Sequence, residues 1–308
     1  MKALVYKSTG SWYIVKCSNN KQYNARIKGA LKIDGITSTN PIAVGDEVII
    51  EEENEIENTA TIISIVARKN YVARQSPHNK RQHHIIASNL DQSVLFATII
   101  NPITSTGFID RFLCSCEMFH LPAIIVFNKA DLYEKKEMQQ FNQLQKIYTS
   151  VGYKVVLVSV EDGTGIEEIK NILQHKTTLL SGHSGVGKSS FINIVFPKLN
   201  LKTQEVSDWS GKGLHTTTFS EMFDLENGGK IIDTPGIREL GLTGITKQEL
   251  SGYFPEMNKE SNHCKFNNCM HINEPNCAIK EALQNGKISE ERYINYLKIL
   301  DTITEKNY

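Results

Sequence analysis

A chain of 308 residues exceeds one typical domain, and its 40% hydrophobic and 22% charged residues suit two or three globular units with full cores. No apolar run approaches the roughly 20 residues of a membrane span. The opening MKALVYKSTGSWYIVKC lacks an uninterrupted apolar core and a small-residue cleavage site, so no signal peptide is expected and the cytoplasm is the expected compartment. Basic and acidic residues balance at 34 each, yet they are segregated: seven basic and no acidic residues from Lys2 to Lys32, then eight acidic and no basic ones from Asp34 to Glu57. Such blocks suit either a nucleic-acid footprint or a solvated surface.

The N-terminal part reads as five short strands, ALVYK, SWYIVKCS, KQYNARIK, DEVIIEE and TATIISIVA, with turn signals STG, SNN and PIAVGD between several of them. Five strands in so short a stretch predict a closed barrel of the oligonucleotide-binding (OB) type over residues 1–68. Tyr6, Trp12 and Tyr23 are candidates for stacking on bases, and the same rings suit the barrel core. The basic stretch RKNYVARQSPHNKRQHH predicts a linker or loop, with the linker bounds at 69–90. From Asp91 the pattern changes to strands (SVLFATII, AIIVFN, KVVLVS, KTTLLSG, TFSEMFDL, KIIDTPG) separated by helical segments such as KKEMQQFNQLQKIYTSV and GIEEIKNILQ. Near-continuous apolar strands with helical crossovers predict a mainly parallel α/β sheet covered on both faces, over residues 91–242. Residues 243–308 predict a small helical domain: a Cys/His knot, then SEERYINYLKILDTI, where Tyr293, Tyr296, Leu297, Leu300 and Ile303 share a helical face.

After the strand KTTLLSG comes GHSGVGKS, residues 182 to 189, which fits the phosphate-loop pattern in its strand-to-helix setting. Gly182, His183, Ser184, Gly185, Val186 and Gly187 form the loop whose N–H groups approach phosphates, and Ser190 follows on the helix. Lys188 neutralises phosphate charge in this pattern, and Ser189 ligates Mg²⁺. DTPG follows the strand KII, so Asp233 becomes a Mg²⁺ residue and the Gly236 N–H a sensor of the γ-phosphate. Between them GLHTTT offers switch threonines, although a threonine run is also ordinary strand-edge composition. NKAD, at 128 to 131, then reads as a guanine site: Asp131 accepts from N1 and N2 of the base, Asn128 bonds its edge and braces the phosphate loop, and the Lys129 stem lies over the ring. SVEDGTGI supplies the remaining loop, with Ser159 and the Val160 backbone near O6. The order is guanine motif, guanine loop, phosphate loop, switch I, switch II, a cyclic rotation of the Ras-like order. That rotation predicts a circularly permuted GTPase using GTP, GDP and Mg²⁺.

Three cysteines and two histidines crowd residues 263 to 277. Cys264, Cys269, His271 and Cys277 suit one closed, structural zinc site; His263 is a rival nitrogen, set lower because it adjoins Cys264. A disulfide does not suit a reducing cytosol. Cys17, Cys114 and Cys116 read as ordinary buried residues.

With NKAD, GHSGVGKSS, GLHTTT, DTPGIREL and CKFNNCMHINEPNC on the page, the chain resembles the ribosome small-subunit-dependent GTPases, the RsgA/YjeQ family, over nearly its whole length. The resemblance implies an OB barrel, a permuted GTPase domain and a zinc domain. It also implies GTP hydrolysis stimulated by the small ribosomal subunit during late maturation of that subunit, contact with its rRNA, and a monomer. Carried over, Thr217 looks like the Mg²⁺-linked threonine and His215 like the catalytic histidine. Ile237 stands where a Ras-like enzyme places its water-orienting glutamine, so another group must position water; His215 can do so, and an exposed loop histidine is its plainer reading. Because DTPG runs through IRELGLTG into the zinc domain, a γ-phosphate contact at Gly236 is expected to orient that domain.

Overall fold

The computed structural model describes residues 1–27, 41–75, 83–197, 220–233, 242 and 244–303. Five N-terminal strands, β1 (Lys2–Ser8), β2 (Tyr13–Cys17), β3 (Gln22–Ile27), β4 (Glu47–Asn54) and β5 (Thr59–Ile65), pair in the order β1-β2-β3-β5-β4, and β4 returns to β1. The closed barrel is the one expected. Alternate residues point inward: Val5, Tyr13, Val15, Ala25, Val48, Ile50 and Ile62 are buried together. Tyr6 and Tyr23 are also buried, whereas Trp12 is 48% exposed, so of the three stacking candidates only Trp12 is open to a partner.

The segregated charge has an internal explanation. Lys2, Lys21 and Arg26 pair with Glu47, Glu52 and Glu53 of β4, and Lys7 and Lys16 pair with Glu221 and Asp224. Three of these cations therefore meet the acidic strand across the barrel, and two reach acids beyond it.

The stretch expected as a linker is not one along its whole length. β6 (Tyr71–Gln75) and β7 (His83–Ser88) form an antiparallel ribbon. The reason is burial: Val72, Ile86 and Ala87 enter the same apolar core as the following domain, and Tyr71 packs on Phe119 with ring centroids 5.6 Å apart. Asp46, wholly buried, locks the ribbon to the barrel by accepting from both Arg68 Nε and Nη2 at 2.6 Å and from Ser88 Oγ at 2.5 Å.

The central part alternates β8 (Gln92–Ala97), α1 (Thr106–Met118), β9 (Ala123–Phe127), α2 (Lys135–Ser150), β10 (Lys154–Leu157), α3 (Ile166–Leu173), β11 (Thr177–Ser181) and α4 (Lys188–Val195), then the hairpin β12 (Glu221–Asp224) and β13 (Lys230–Asp233). Strand order is β10-β9-β8-β11-β13-β12, parallel except for β12. The apolar strand residues divide between two faces. Leu95, Ile125, Phe127 and Leu179 pack with residues of α1 and α2, while Val94, Phe96, Val126 and Leu180 pack with residues of α3 and α4. β12 also pairs with β1, Lys7 opposite Glu221, so barrel and central sheet form one continuous eleven-stranded sheet. Tyr6 and Lys16 both donate to Asp224 at 2.7 Å; burial raises that carboxyl, but these bonds together with the charges of Lys16 and Lys230 hold the group below its ordinary range.

The C-terminal lobe holds a 3-10 turn (Leu250–Tyr253), α5 (Pro255–Ser261), α6 (Ala278–Gln284) and α7 (Glu290–Thr302). Its core gathers Leu250, Phe254, Met257, Ile279, Tyr296, Ile299 and Leu300.

Candidate nucleotide site and metal cluster

The carboxyl ends of the parallel strands bring the sequence motifs to one edge, where ligands of open α/β sheets bind. β11 sits centrally and runs directly into GHSGVGKS, while β9 ends at NKAD, β10 at the SVEDGTGI loop and β13 at Asp233. Two long-range bonds knit these loops. Asn128 Nδ2 donates to Val186 O at 2.9 Å, bracing the phosphate loop, and Ser159 Oγ donates to Asp131 Oδ1 at 2.6 Å. Asn128 and Ser159 are buried, whereas Asp131 is exposed. The Ser159 hydroxyl also accepts from Glu161 N and Asp162 N, so its side chain shapes the loop that carries Val160 and aims Asp131.

The glycines of the phosphate loop are geometrically required. Gly182 and Gly187 have φ of +137° and +92°; a Cβ there would meet Phe96 O at 2.4 Å and Asn128 Nδ2 at 2.3 Å. Lys188 Nζ donates to Gly182 O at 2.7 Å and His183 O at 3.0 Å. Two of the three N–H bonds of the Lys188 ammonium thus have carbonyl partners among the described residues, which anchors the side chain beside the loop. Burial lowers the Lys188 pKa, and the Asp233 carboxylate opposes that shift. Ser184 and Ser190 are exposed and Gly185 and Ser189 half-buried, around a buried Val186. The fit to a polar ligand is supported by two buried atoms at this edge, Asn128 Oδ1 and Ser181 Oγ, that lack hydrogen-bond partners among the described residues. His215, Thr217, Gly236 and Ile237 lie outside the described residues.

Several participants escaped the motif reading. Tyr133 OH donates to Asn128 O at 2.9 Å and accepts from Ile99 N at 3.3 Å, tying the guanine motif to the loop after β8. Lys129, at φ +68°, donates Nζ to Asn101 O in the same loop. Phe108 of α1 packs at a tilt of 33° against His183, centroids 3.9 Å apart. Tyr133 could be suspected only from its position two residues past NKAD; nothing in sequence marks Phe108.

Cys264, Cys269, His271 and Cys277 converge, with all four ligand atoms within 4.8 Å of one another. His271 Nδ1 lies 3.4 Å from Cys277 Sγ and 3.7 Å from Cys264 Sγ. Zinc bonds of about 2.0–2.3 Å in a tetrahedron give ligand–ligand edges of roughly 3.3–3.8 Å, so the donor set fits zinc. His263 points elsewhere: its side chain is 73% exposed, 4.0 Å from Glu260. Glu274 accepts from Met270 N, Ile272 N and Asn273 N, and Tyr293 OH donates to His271 O, fixing the turn that presents His271. Burial pushes the Cys269 thiol up to about 12, so a cation is what would draw thiolates from this cluster.

A family model described as the RsgA N-terminal domain matches residues 2–62, and one described as RsgA GTPase matches residues 65–243. The chain is 52% identical over 302 residues to the small ribosomal subunit biogenesis GTPase RsgA of Flavobacterium psychrophilum, covering 98% of this chain and 93% of that one. It is 47% identical over 309 residues to the protein of the same name from Christiangramia forsetii, covering 100% and 98%. Among solved structures it resembles YjeQ from Thermotoga maritima (TM-score 0.79, 32% identity, 97% of each chain). It also resembles YloQ, described as a circularly permuted GTPase (TM-score 0.74, 28% identity, 100% of this chain and 96% of that one).

Proposed function

The chain belongs to the RsgA GTPase family, and from that membership we propose that it hydrolyses GTP at the sheet edge described above during small ribosomal subunit biogenesis, late in maturation and under stimulation by that subunit. The observation that carries the site reading is the pair of long-range bonds, Asn128 to Val186 O and Ser159 to Asp131. They bring the guanine motif, the guanine loop and the phosphate loop into one constellation despite their rotated order. Asp131 reads guanine, Asn128 and Lys129 flank the base, and the loop from Gly182 to Ser190 cradles the phosphates. Magnesium, when bound, neutralises phosphate charge, and Ser189, Thr217 and Asp233 are the residues assigned to hold it. Lys188 neutralises charge on the β- and γ-phosphates. Water attacks the γ-phosphorus, the bond to the β–γ bridging oxygen breaks, and GDP and phosphate result. Ile237 has no polar group for that water, so His215 is assigned to position it and to accept its proton.

Zinc at Cys264, Cys269, His271 and Cys277 would act structurally, since four protein ligands leave no open position. The partner is the small subunit with its rRNA. The relatives' names support that partner, and the exposed Trp12 is the barrel residue suited to stacking. A cytoplasmic monomer is the state that suits this role in ribosome biogenesis. The test is GTP turnover titrated with purified small subunits. A saturable rise, worth roughly 10³–10⁵ for a partner-activated GTPase, is expected. Flat turnover would sink the reading and leave the nucleotide a structural ligand of an RNA-binding assembly module.

A further inference from the structure

The first turn of α1 is held from two sides. Positions 108 and 110 are about 200° apart at 100° per residue, so they face nearly opposite ways. The Phe108 ring packs at a tilt against that of His183, whose carbonyl anchors Lys188. Asp110 points into the C-terminal lobe and is 1% exposed. Its Oδ1 accepts from Arg292 Nη1 at 2.6 Å and its Oδ2 from Asn295 Nδ2 at 2.7 Å. Arg292, also 1% exposed, is fixed within the lobe by a two-pronged contact with Glu256 and lies 4.9 Å over the Phe254 ring.

A planar guanidinium held at both ends accepts one docking geometry, and two desolvated carboxylates about it penalise any other. α1 is therefore seated at a fixed position on the lobe, and its other face supports the phosphate loop. We propose that Phe108 is a positioning residue for the phosphate loop, and that the Arg292–Asp110 contact makes α1 a relay through which the C-terminal lobe sets nucleotide affinity. The proposal rests on the nucleotide-site reading given above. It differs from a route through the segment after DTPG, because it needs no chain connection between the two parts.

The test is a double-mutant cycle read as GDP affinity, with zinc content and melting temperature measured alongside. Phe108→Ala is expected to weaken GDP binding by up to about tenfold, with zinc content unchanged. Phe108→Tyr, which keeps the ring, should restore it. Arg292→Met should weaken GDP binding in the same direction, although it alters no motif. In the double variant the two losses should overlap rather than multiply. If Arg292→Met does not fold, Asn295→Ala, which removes one bond to Asp110 and no charge, takes its place. Multiplicative losses would overturn the relay, and wild-type affinity in Phe108→Ala would overturn the positioning role. Asp131→Asn serves as the control: if it leaves GDP binding intact, the nucleotide-site reading fails, whatever Phe108 does.

Discussion

Replacing Asp131 by Asn should convert guanine recognition into xanthine recognition without dismantling the loop. The Ser159 hydroxyl donates to Asp131 Oδ1 at 2.6 Å, and an asparagine keeps an acceptor oxygen in that position. The bracing bond survives, and so do the two backbone bonds to Ser159 that shape the neighbouring loop. What changes is the other prong: a carboxylate oxygen that would accept from N2 of guanine becomes an NH₂ group facing another donor. An unpaired buried polar group costs about 1–3 kcal/mol, and two are created, so the loss is roughly 2–5 kcal/mol after partial relaxation. At 1.4 kcal/mol per decade, GDP affinity should fall roughly 30- to 4,000-fold. Xanthosine diphosphate carries an oxygen at C2 and should gain affinity by a comparable factor. Competition of both nucleotides against a fluorescent GDP analogue measures the two changes together. A folded Asp131→Asn protein that binds GDP as tightly as the wild type would remove NKAD from the site.

Cys269→Ser should lower bound zinc and loosen residues 260 to 280 while leaving nucleotide binding in place; full zinc occupancy by elemental analysis would refute the ligand set. Asp46→Ala strands the buried Arg68 guanidinium and should cost about 3–5 kcal/mol in denaturant unfolding. A loss below about 1 kcal/mol would show that the ribbon is held by apolar packing alone. His215→Ala should bind GTP nearly normally yet lose roughly 10²-fold in single-turnover hydrolysis on saturating small subunits; a wild-type rate would move the water-positioning group elsewhere. Burial raises the Asp110 carboxyl to about 6, against the pull of Arg292 and Asn295. A raised folded pKa contributes stability below the ordinary carboxylate range, near 4, that is lost as pH climbs to about 6. The Asp110→Asn minus wild-type stability difference should therefore change across that window and be flat above it, and a difference curve with no inflection there would contradict the burial argument.

Local pattern carried the elements, and it located the candidate site's motifs, because both are written in short spans. The alternation of β1 and β2, the apolar run of β8, and the glycine spacing of the phosphate loop each need only a dozen residues to be read. Pairing between distant segments was less legible. The basic stretch from Lys2 to Lys32 and the acidic one after it looked like separate surfaces until strand pairing set Lys21 beside Glu52 and Arg26 beside Glu53. The stretch around Tyr71 read as linker because its polar residues outnumber its apolar ones, yet burial of Val72, Ile86 and Ala87 suffices to make a ribbon. On α7 the apolar face was legible, whereas Arg292 and Asn295 were not, since polar residues enter a core only where a partner waits. That partner, Asp110, stands 182 positions earlier than Arg292.

The rotated order of the motifs gives these distant contacts a common origin. Opening the central sheet between β13 and β8 frees two ends, and the chain carries the barrel before one and the zinc lobe after the other. Each addition then returns to the sheet at a second place. The barrel pairs β1 with β12, the strand that follows the expected switch I segment, and ties it with Tyr6, Lys7 and Lys16. The lobe returns through Arg292 and Asn295 to α1, the helix that supports the phosphate loop. Two attachments per addition restrain its orientation far more than a single covalent link, because closing each loop removes conformations that a tethered domain would keep. Under the proposed relay, a partner that holds either addition would act on elements that border the candidate nucleotide site. In the usual motif order the same sheet has no free ends at this position, so rotation is what allows each flanking unit to attach to the central domain at two places.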